Sequence, residues 1–304
     1  MSATPADPIR AAFIGFGEVA TAFSAALVAR GVHVAAYDVL VEQPDGCARL
    51  RARAGGTHIE FTPLREALED APYVFSTVTT TAAREAARAC VPYLRPGQTY
   101  VDLNATAPAV KREIDADLGP SGAWFVEGAV LGAVGVTGAR TEILLGGPHG
   151  GQAERVLAGE FGLNVRFYSA EIGRASTFKL LRSVFSKGLE ALLLEFLVAG
   201  ERAGIRTDLW REVTELFDNN RFEKVASNWV CTHALAHERR HHEMVDVANV
   251  LRALGVDPVM TAATEAVFER SSALHVKDAF AARPEKMDEV IRFLEARLRT
   301  ENSA

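Results

Sequence analysis

Residues 13–38 read FIGFGEVATAFSAALVARGVHVAAYD, and the reading of this stretch decides the fold. A short apolar run, AAFI, leads into GFGEVA. A small-residue, apolar segment of helical character follows and ends at ARG, and a second β-rich run, VHVAAY, ends on Asp38. Gly15 and Gly17 take the first two places of the pattern G-x-G-x-x-G/A, and Ala20 takes the third. The first glycine permits a tight turn from strand to helix. The second has no side chain to obstruct a pyrophosphate, and a small third residue lets helix and strand pack closely. Unpaired N–H groups at the start of the helix, aided by the helix dipole, then face the phosphates. An acid closing the second strand accepts hydrogen bonds from the ribose hydroxyls and repels a 2′-phosphate. The spacing predicts a dinucleotide seat formed by Gly15, Phe16, Gly17, Glu18, Val19 and Asp38, with NAD favoured and NADP as the alternative.

Outward from this unit, β-rich runs keep alternating with helical segments. IRAAFI, VHVAAY, YVFSTV, TYVDLN, WFVEGAV, TEILLG and NVRFY read as strands. VATAFSAALVAR, TPLREALED and AAREAARACVPYL read as helices between them. Such alternation predicts a parallel sheet covered on both faces. From Ile172 onward nearly every segment has helical periodicity. The expected class is α/β: a Rossmann-type parallel-sheet domain over 1–168, followed by an all-helical domain over 169–304. The end of YVFSTV adds Thr77, Val78 and Thr79 to the expected cofactor seat.

The 304 residues, 48% hydrophobic, suffice for two cores. The net charge of −6 is spread without a basic tract, which argues against nucleic acid or a membrane surface as partner and for a small-molecule substrate. No run approaches the length of a membrane span, and the first residues lack the apolar core of a signal peptide. Cys47, Cys90 and Cys231 lie far apart, so reduced thiols and a cytoplasmic location are expected.

In TFKLLRSVFSKGLEALLLEFLVAG, Lys179, Arg182, Ser183 and Lys187 share one broad helical face, and the rest is largely Leu, Phe and Val. A basic stripe on such a helix calls for an acid, solvent or an anionic ligand. An ammonium also suits carbonyl reduction, because it stabilises the charge that develops on oxygen and can deliver a proton. The apolar length of Leu189–Ala203 predicts a homodimer through the helical domain.

These segments together resemble the β-hydroxyacid dehydrogenase superfamily, which includes 3-hydroxyisobutyrate and 6-phosphogluconate dehydrogenases and has imine reductases as relatives. DLNATAP (Asp102–Pro108) is similar to the family's D-x-S-T-x-x-P stretch, and EGAVLGA (Glu127–Ala133) to its D-A-P-V-S-G-G loop. GRASTFKLLRS (Gly173–Ser183) aligns with its G-x-x-x-x-x-K-x-x-N-N stretch. The resemblance implies that Lys179 is the catalytic acid/base and that Ser183 orients the substrate. It implies that Asn104, able to donate and accept near the nicotinamide, serves both cofactor and substrate, and that the loop at Leu131 and Gly132 contacts the substrate. There are departures. Asn104 and Ala105 replace a Ser-Thr pair, Leu131 replaces a serine, Ala133 a glycine, and Arg182 and Ser183 two asparagines. Arg182 or Lys187 can replace donors lost from the 131–133 loop, and Arg240 is a further candidate for the substrate pocket. Imine reductases typically carry aspartate or tyrosine where Lys179 stands, so the lysine favours an alcohol/carbonyl couple. The closest fit is a poorly characterised bacterial branch of the superfamily.

One motif points elsewhere. HERRH (His237–His241) matches H-E-x-x-H, a zinc-hydrolase pattern on helices, with His233 and His242 nearby and Glu265 downstream. A zinc hydrolase leaves Gly15, Asp38 and Lys179 unexplained, so no metal is expected. The segment reads as a partly exposed helix, or as a contributor to the substrate pocket. The resulting expectation is an NAD(P)-dependent oxidoreductase acting on a small hydroxyacid-like alcohol. The alternatives are an imine or opine-like reductase and a non-catalytic dinucleotide-binding regulator.

Overall fold

Ala11, Ala12, Phe13 and Ile14 are buried on both faces, as a central parallel strand requires. In the computed structural model, which describes residues 9–301, they form most of β1 (Arg10–Ile14). The other strands are β2 (His33–Tyr37), β3 (Glu60–Phe61), β4 (Tyr73–Ser76), β5 (Thr99–Asp102), β6 (Trp124–Val130), β7 (Ile143–Gly146) and β8 (Val165–Ser169). Between them lie α1 (Glu18–Val28), α2 (Gly46–Arg53), α3 (Leu64–Leu68), α4 (Ala83–Cys90), α5 (Pro108–Leu118), α6 (Val134–Thr137) and α7 (Gly150–Gly159). Then follow α8 (Arg174–Arg202), α9 (Arg206–Asn219), α10 (Phe222–Ala253), α11 (Val259–Ala273) and α12 (Met287–Glu301).

The eight strands form one sheet in the order β3-β2-β1-β4-β5-β6-β7-β8. Chain order reverses beside β1, so a crevice opens at the carboxyl ends of β1 and β4, where open α/β sheets bind ligands. Phe13, Phe23, Leu27, Phe75 and Phe161 fill one face, with Phe13 and Phe75 stacked at 5.0 Å. Ile14, Val74, Tyr100, Ile114 and Leu118 fill the other.

Two features depart from the expected sheet. β3 is a two-residue edge strand on β2, too short to leave a sequence pattern. β7 runs antiparallel to β6, so the sheet is mostly rather than wholly parallel. The link from Leu131 to Glu142 holds only the one-turn α6 and a 3-10 turn at Gly138–Arg140. That is short for a parallel crossover, which normally needs a full helix.

The chain divides into two compact units, Met1–Val184 and Phe185–Ala304. The sheet ends at Ser169, beside the expected boundary, but the first unit continues into α8. Glu127 on β6, fully buried, accepts from Gly173 N (2.8 Å), Ala175 N (2.7 Å) and Ser176 Oγ (3.2 Å). A carboxylate thus caps the start of α8 and complements its dipole, and Ala175 packs against Ala129 and Leu144. In the second unit α11 and α12 pack on α10, around Ala234, Leu274, Val276 and Val290. Among the described residues no helix is long and apolar enough to cross a membrane.

Candidate active site

The glycine turn is built as its sequence demands. Gly15 has φ +84°, and a Cβ there would lie 2.7 Å from Val78 Cγ1 and 2.9 Å from Thr77 O, so only glycine fits. Thr77 clamps the turn: its N–H donates to Ile14 O at 2.8 Å and its hydroxyl to Gly15 O at 2.8 Å. At Gly17 a Cβ would meet nothing within 4 Å, and no side chain caps α1. The first N–H groups of α1 are therefore available to a phosphate. Asp38 Oδ2 accepts from Phe16 N at 2.9 Å and Oδ1 from Leu40 N at 3.0 Å. A carboxylate has about four acceptor positions, so capacity remains for ribose hydroxyls. A cavity of about 700 Å³ runs along Gly15, Phe16, Gly17, Asp38, Val78 and Thr79, large enough for the adenosine half of a dinucleotide. On these grounds the residues fit the cofactor that the pattern implies.

Arg53 was not foreseen. It lies on α2, lines the same cavity, and donates from Nη1 to Phe16 O at 2.6 Å. The Phe16 peptide is thus held between a carboxylate on its N–H and a guanidinium on its carbonyl. Nothing in the spacing of Arg53 from the glycines announces this, because it depends on how α2 returns to the turn.

Thr77, Val78 and Thr79 also line a second cavity, of about 500 Å³, together with Glu18, Val19, Asn104, Gly132 and Lys179. The structure therefore brings Lys179, Asn104 and Gly132 together with the cofactor turn. Burial first, and then the charge of Lys111, lowers the Lys179 pKa from the ordinary 10.5. Glu18 adds a carboxylate to this cavity.

Other expected residues lie apart from this cavity's lining. Leu131 packs against the Ala129, Leu144 and Ala175 cluster. The Ser183 hydroxyl donates to Lys179 O at 3.1 Å within the helix. Arg182 is exposed, and Lys187 pairs with Glu190 at 3.3 Å. In the helical unit Arg240 donates to Thr232 Oγ1 at 2.8 Å and lines a separate cavity with His233.

Beneath Asn104 lies a buried polar cluster. Lys111 on α5 is 0% exposed and donates to Asp102 Oδ2 (2.7 Å), Asp102 O (2.9 Å) and Asn104 O (2.8 Å). All three ammonium protons are used. The Asn104 side-chain NH₂ donates to Ser76 Oγ at 2.9 Å and to Asp102 Oδ1. Asp102 Oδ1 can only accept, which settles the amide orientation. Asn104 Oδ1 is buried without a partner among the described residues. A lone buried acceptor costs about 1–3 kcal/mol until something donates to it.

The histidines do other work. His237 is fully buried, and its Nδ1 lies 3.0 Å from His233 O, so Nδ1 carries the proton. His233 Nε2 lies 2.8 Å from Ser271 Oγ, and His241 lies 3.8 Å from Glu265. Among the described residues no three His, Cys, Asp or Glu side chains gather as metal ligands.

Comparison with known proteins agrees with this geometry. The profile of the NAD-binding domain of 6-phosphogluconate dehydrogenase matches residues 10–157, and a domain of unknown function, DUF1932, matches residues 201–271. The conserved protein MTH1747, described as structurally similar to 3-hydroxyacid dehydrogenases, is 31% identical. The match covers 89% of this chain and 98% of that one, with a TM-score of 0.58. A conserved hypothetical protein from Sinorhizobium meliloti 1021 is 29% identical over 96% of this chain and 97% of its own, with a TM-score of 0.59. The imine reductase from Myxococcus stipitatus, solved with NADP+, is 16% identical over 94% of this chain and 100% of its own. Its TM-score of 0.73 speaks for a shared fold. The first unit is thus an NAD-binding domain. Identity of this level over nearly the whole of a relative shows that the chain belongs to the β-hydroxyacid dehydrogenase superfamily of NAD(P)-dependent oxidoreductases, among its 3-hydroxyacid dehydrogenase-like members.

Proposed function

We propose that this protein interconverts a small hydroxyacid-like alcohol and its carbonyl, with NAD as the preferred cofactor and Lys179 as general acid/base. The bound nicotinamide supplies or receives the hydride. The Lys179 ammonium gives its proton to the carbonyl oxygen as negative charge develops there, and in the oxidative direction the neutral amine takes the hydroxyl proton. The observation that carries this reading is the shared cavity. Lys179 lines the space that continues the glycine-turn cavity past Thr77–Thr79, with its pKa lowered toward the range where an amine can shuttle protons. Arg182 is the cation this reading assigns to an anionic substrate group, and Ser183 steadies the substrate beside Lys179.

The reading includes a cytoplasmic homodimer joined through the helical unit. The support for the dimer is the exposure of Leu189, Leu192, Leu194 and Val198 along α8.

The test is a panel of hydroxyacids and of C=N substrates, followed through NADH absorbance. With the best substrate, Lys179→Ala should lower turnover roughly 10²–10⁴-fold and leave NADH affinity nearly unchanged. Lys179→Arg should rescue poorly, because a guanidinium is too basic to shuttle protons. Near-wild-type turnover of an imine by Lys179→Ala would replace this reading with the C=N one. NADH binding without turnover of anything offered would favour the regulator.

A further inference from the structure

Lys111 is fully buried and lines neither cavity, and beyond the effect of its charge on Lys179 the proposed reaction gives it no role. Its three bonds hold Asp102 and the Asn104 backbone. Asp102 and Ser76 hold the Asn104 NH₂. What remains is Asn104 Oδ1, an acceptor with no partner among the described residues, on a side chain 5% exposed that lines the Lys179 cavity. A free asparagine amide can turn by 180° and offer either a donor or an acceptor. Here a turn would set Oδ1 against Asp102 Oδ1, oxygen against oxygen, so the amide keeps one polarity.

We infer that Lys111 is a positioning residue. Through Asp102 it locks Asn104 as an acceptor reserved for the carboxamide N–H of the nicotinamide. Two observations select this occupant. Thr77, Val78 and Thr79 line both cavities, so a dinucleotide with its pyrophosphate on the start of α1 extends its nicotinamide half toward Asn104. Within the nicotinamide ring system the carboxamide is the only group that donates an N–H. Charge pairing at Lys111 thereby fixes which side of the carboxamide faces Asn104. The inference rests on the dinucleotide seat and is independent of the substrate.

The experiment compares NAD with its acetylpyridine analogue, in which a methyl ketone replaces the carboxamide. Dissociation constants come from calorimetry, so no turnover is needed. The wild type should bind NAD roughly 3- to 10-fold more tightly than the analogue, the usual worth of one neutral hydrogen bond. Asn104→Leu should close that gap. So should the double variant Asp102→Asn with Lys111→Met, which removes the buried charges together and frees the amide to turn. If the double variant fails to fold, Asp102→Asn alone carries the same test, since Lys111 keeps its two carbonyl acceptors. A merely structural role for Lys111 would weaken both nucleotides in parallel and leave their ratio unchanged, which overturns the inference. Equal wild-type affinities overturn it as well. Binding of neither nucleotide by the folded wild type would sink the dinucleotide seat itself, a distinct failure.

Discussion

Replacing Glu127 by glutamine tests whether the start of α8 is held by charge. The wild-type carboxylate is fully buried and accepts two backbone N–H groups, at 2.8 and 2.7 Å, and the Ser176 hydroxyl at 3.2 Å. Hydrogen bonds to a charged acceptor contribute about 1.5–3 kcal/mol each, offset in part by desolvation of the carboxylate. Glutamine keeps the volume and one carbonyl acceptor. Its NH₂ must face a second N–H donor, so one charge-assisted bond is lost and one buried N–H is left unsatisfied. The expected cost is about 2–4 kcal/mol. For a unit of this size each kcal/mol shifts Tm by about 2–4 °C, so the first transition in calorimetry should fall by roughly 4–16 °C. Lys179 stands less than one turn beyond Ser176, so the frayed start of α8 should also lower kcat more than it weakens NADH binding. Glu127→Ala should cost more, because it adds a cavity. A Glu127→Gln melt within about 1 °C of wild type would refute the charge-capping account.

Three further outcomes are expected. Burial first, then the charges of His237 and Arg240, lower the His233 pKa from 6.5 to about 4. The unfolded chain therefore binds the proton more readily between those values, and this stability is present above pH 6.5 and lost as pH falls toward 4. His233→Gln should flatten that limb in urea melts at a series of pH values, and an unchanged slope would count against it. NADH should bind more tightly than NADPH because of Asp38. Arg53→Leu should widen the ratio by roughly 3- to 10-fold by removing a cation from the same cavity, and a narrowed ratio would put Arg53 out of reach of the 2′ position. Light scattering at micromolar concentration should find a dimer, and Leu194→Asp with Val198→Asp, both exposed in the single chain, should yield folded monomers. A wild-type monomer would remove the proposed interface.

What the sequence shows and what it hides divide along one physical line. Gly15, Asp38 and the alternating strands are local patterns. Each works through its own backbone conformation or through a strand end next in sequence, so period and spacing suffice to find them. Lys179 is similar, since one helix face carries it. Arg53, Lys111 and the reversed β7 depend instead on where distant segments return. Nothing in PAVKRE marks Lys111 as buried, and only the approach of Asp102 and the Asn104 carbonyl makes its burial tolerable. The HERRH motif errs in the opposite sense. Its spacing is local and correct for a metal, but His237 spends Nδ1 on its own helix backbone, a partner that the motif does not record. Asn104 joins both cases. Its residue type permits donation and acceptance alike, and the sequence leaves both open. The choice is made by Asp102 Oδ1, which cannot donate, and Asp102 is in turn held by an ammonium nine residues away. A site's hydrogen-bond polarity can therefore be set by residues that never touch the ligand, and a search restricted to side chains facing the cavity would pass over Lys111.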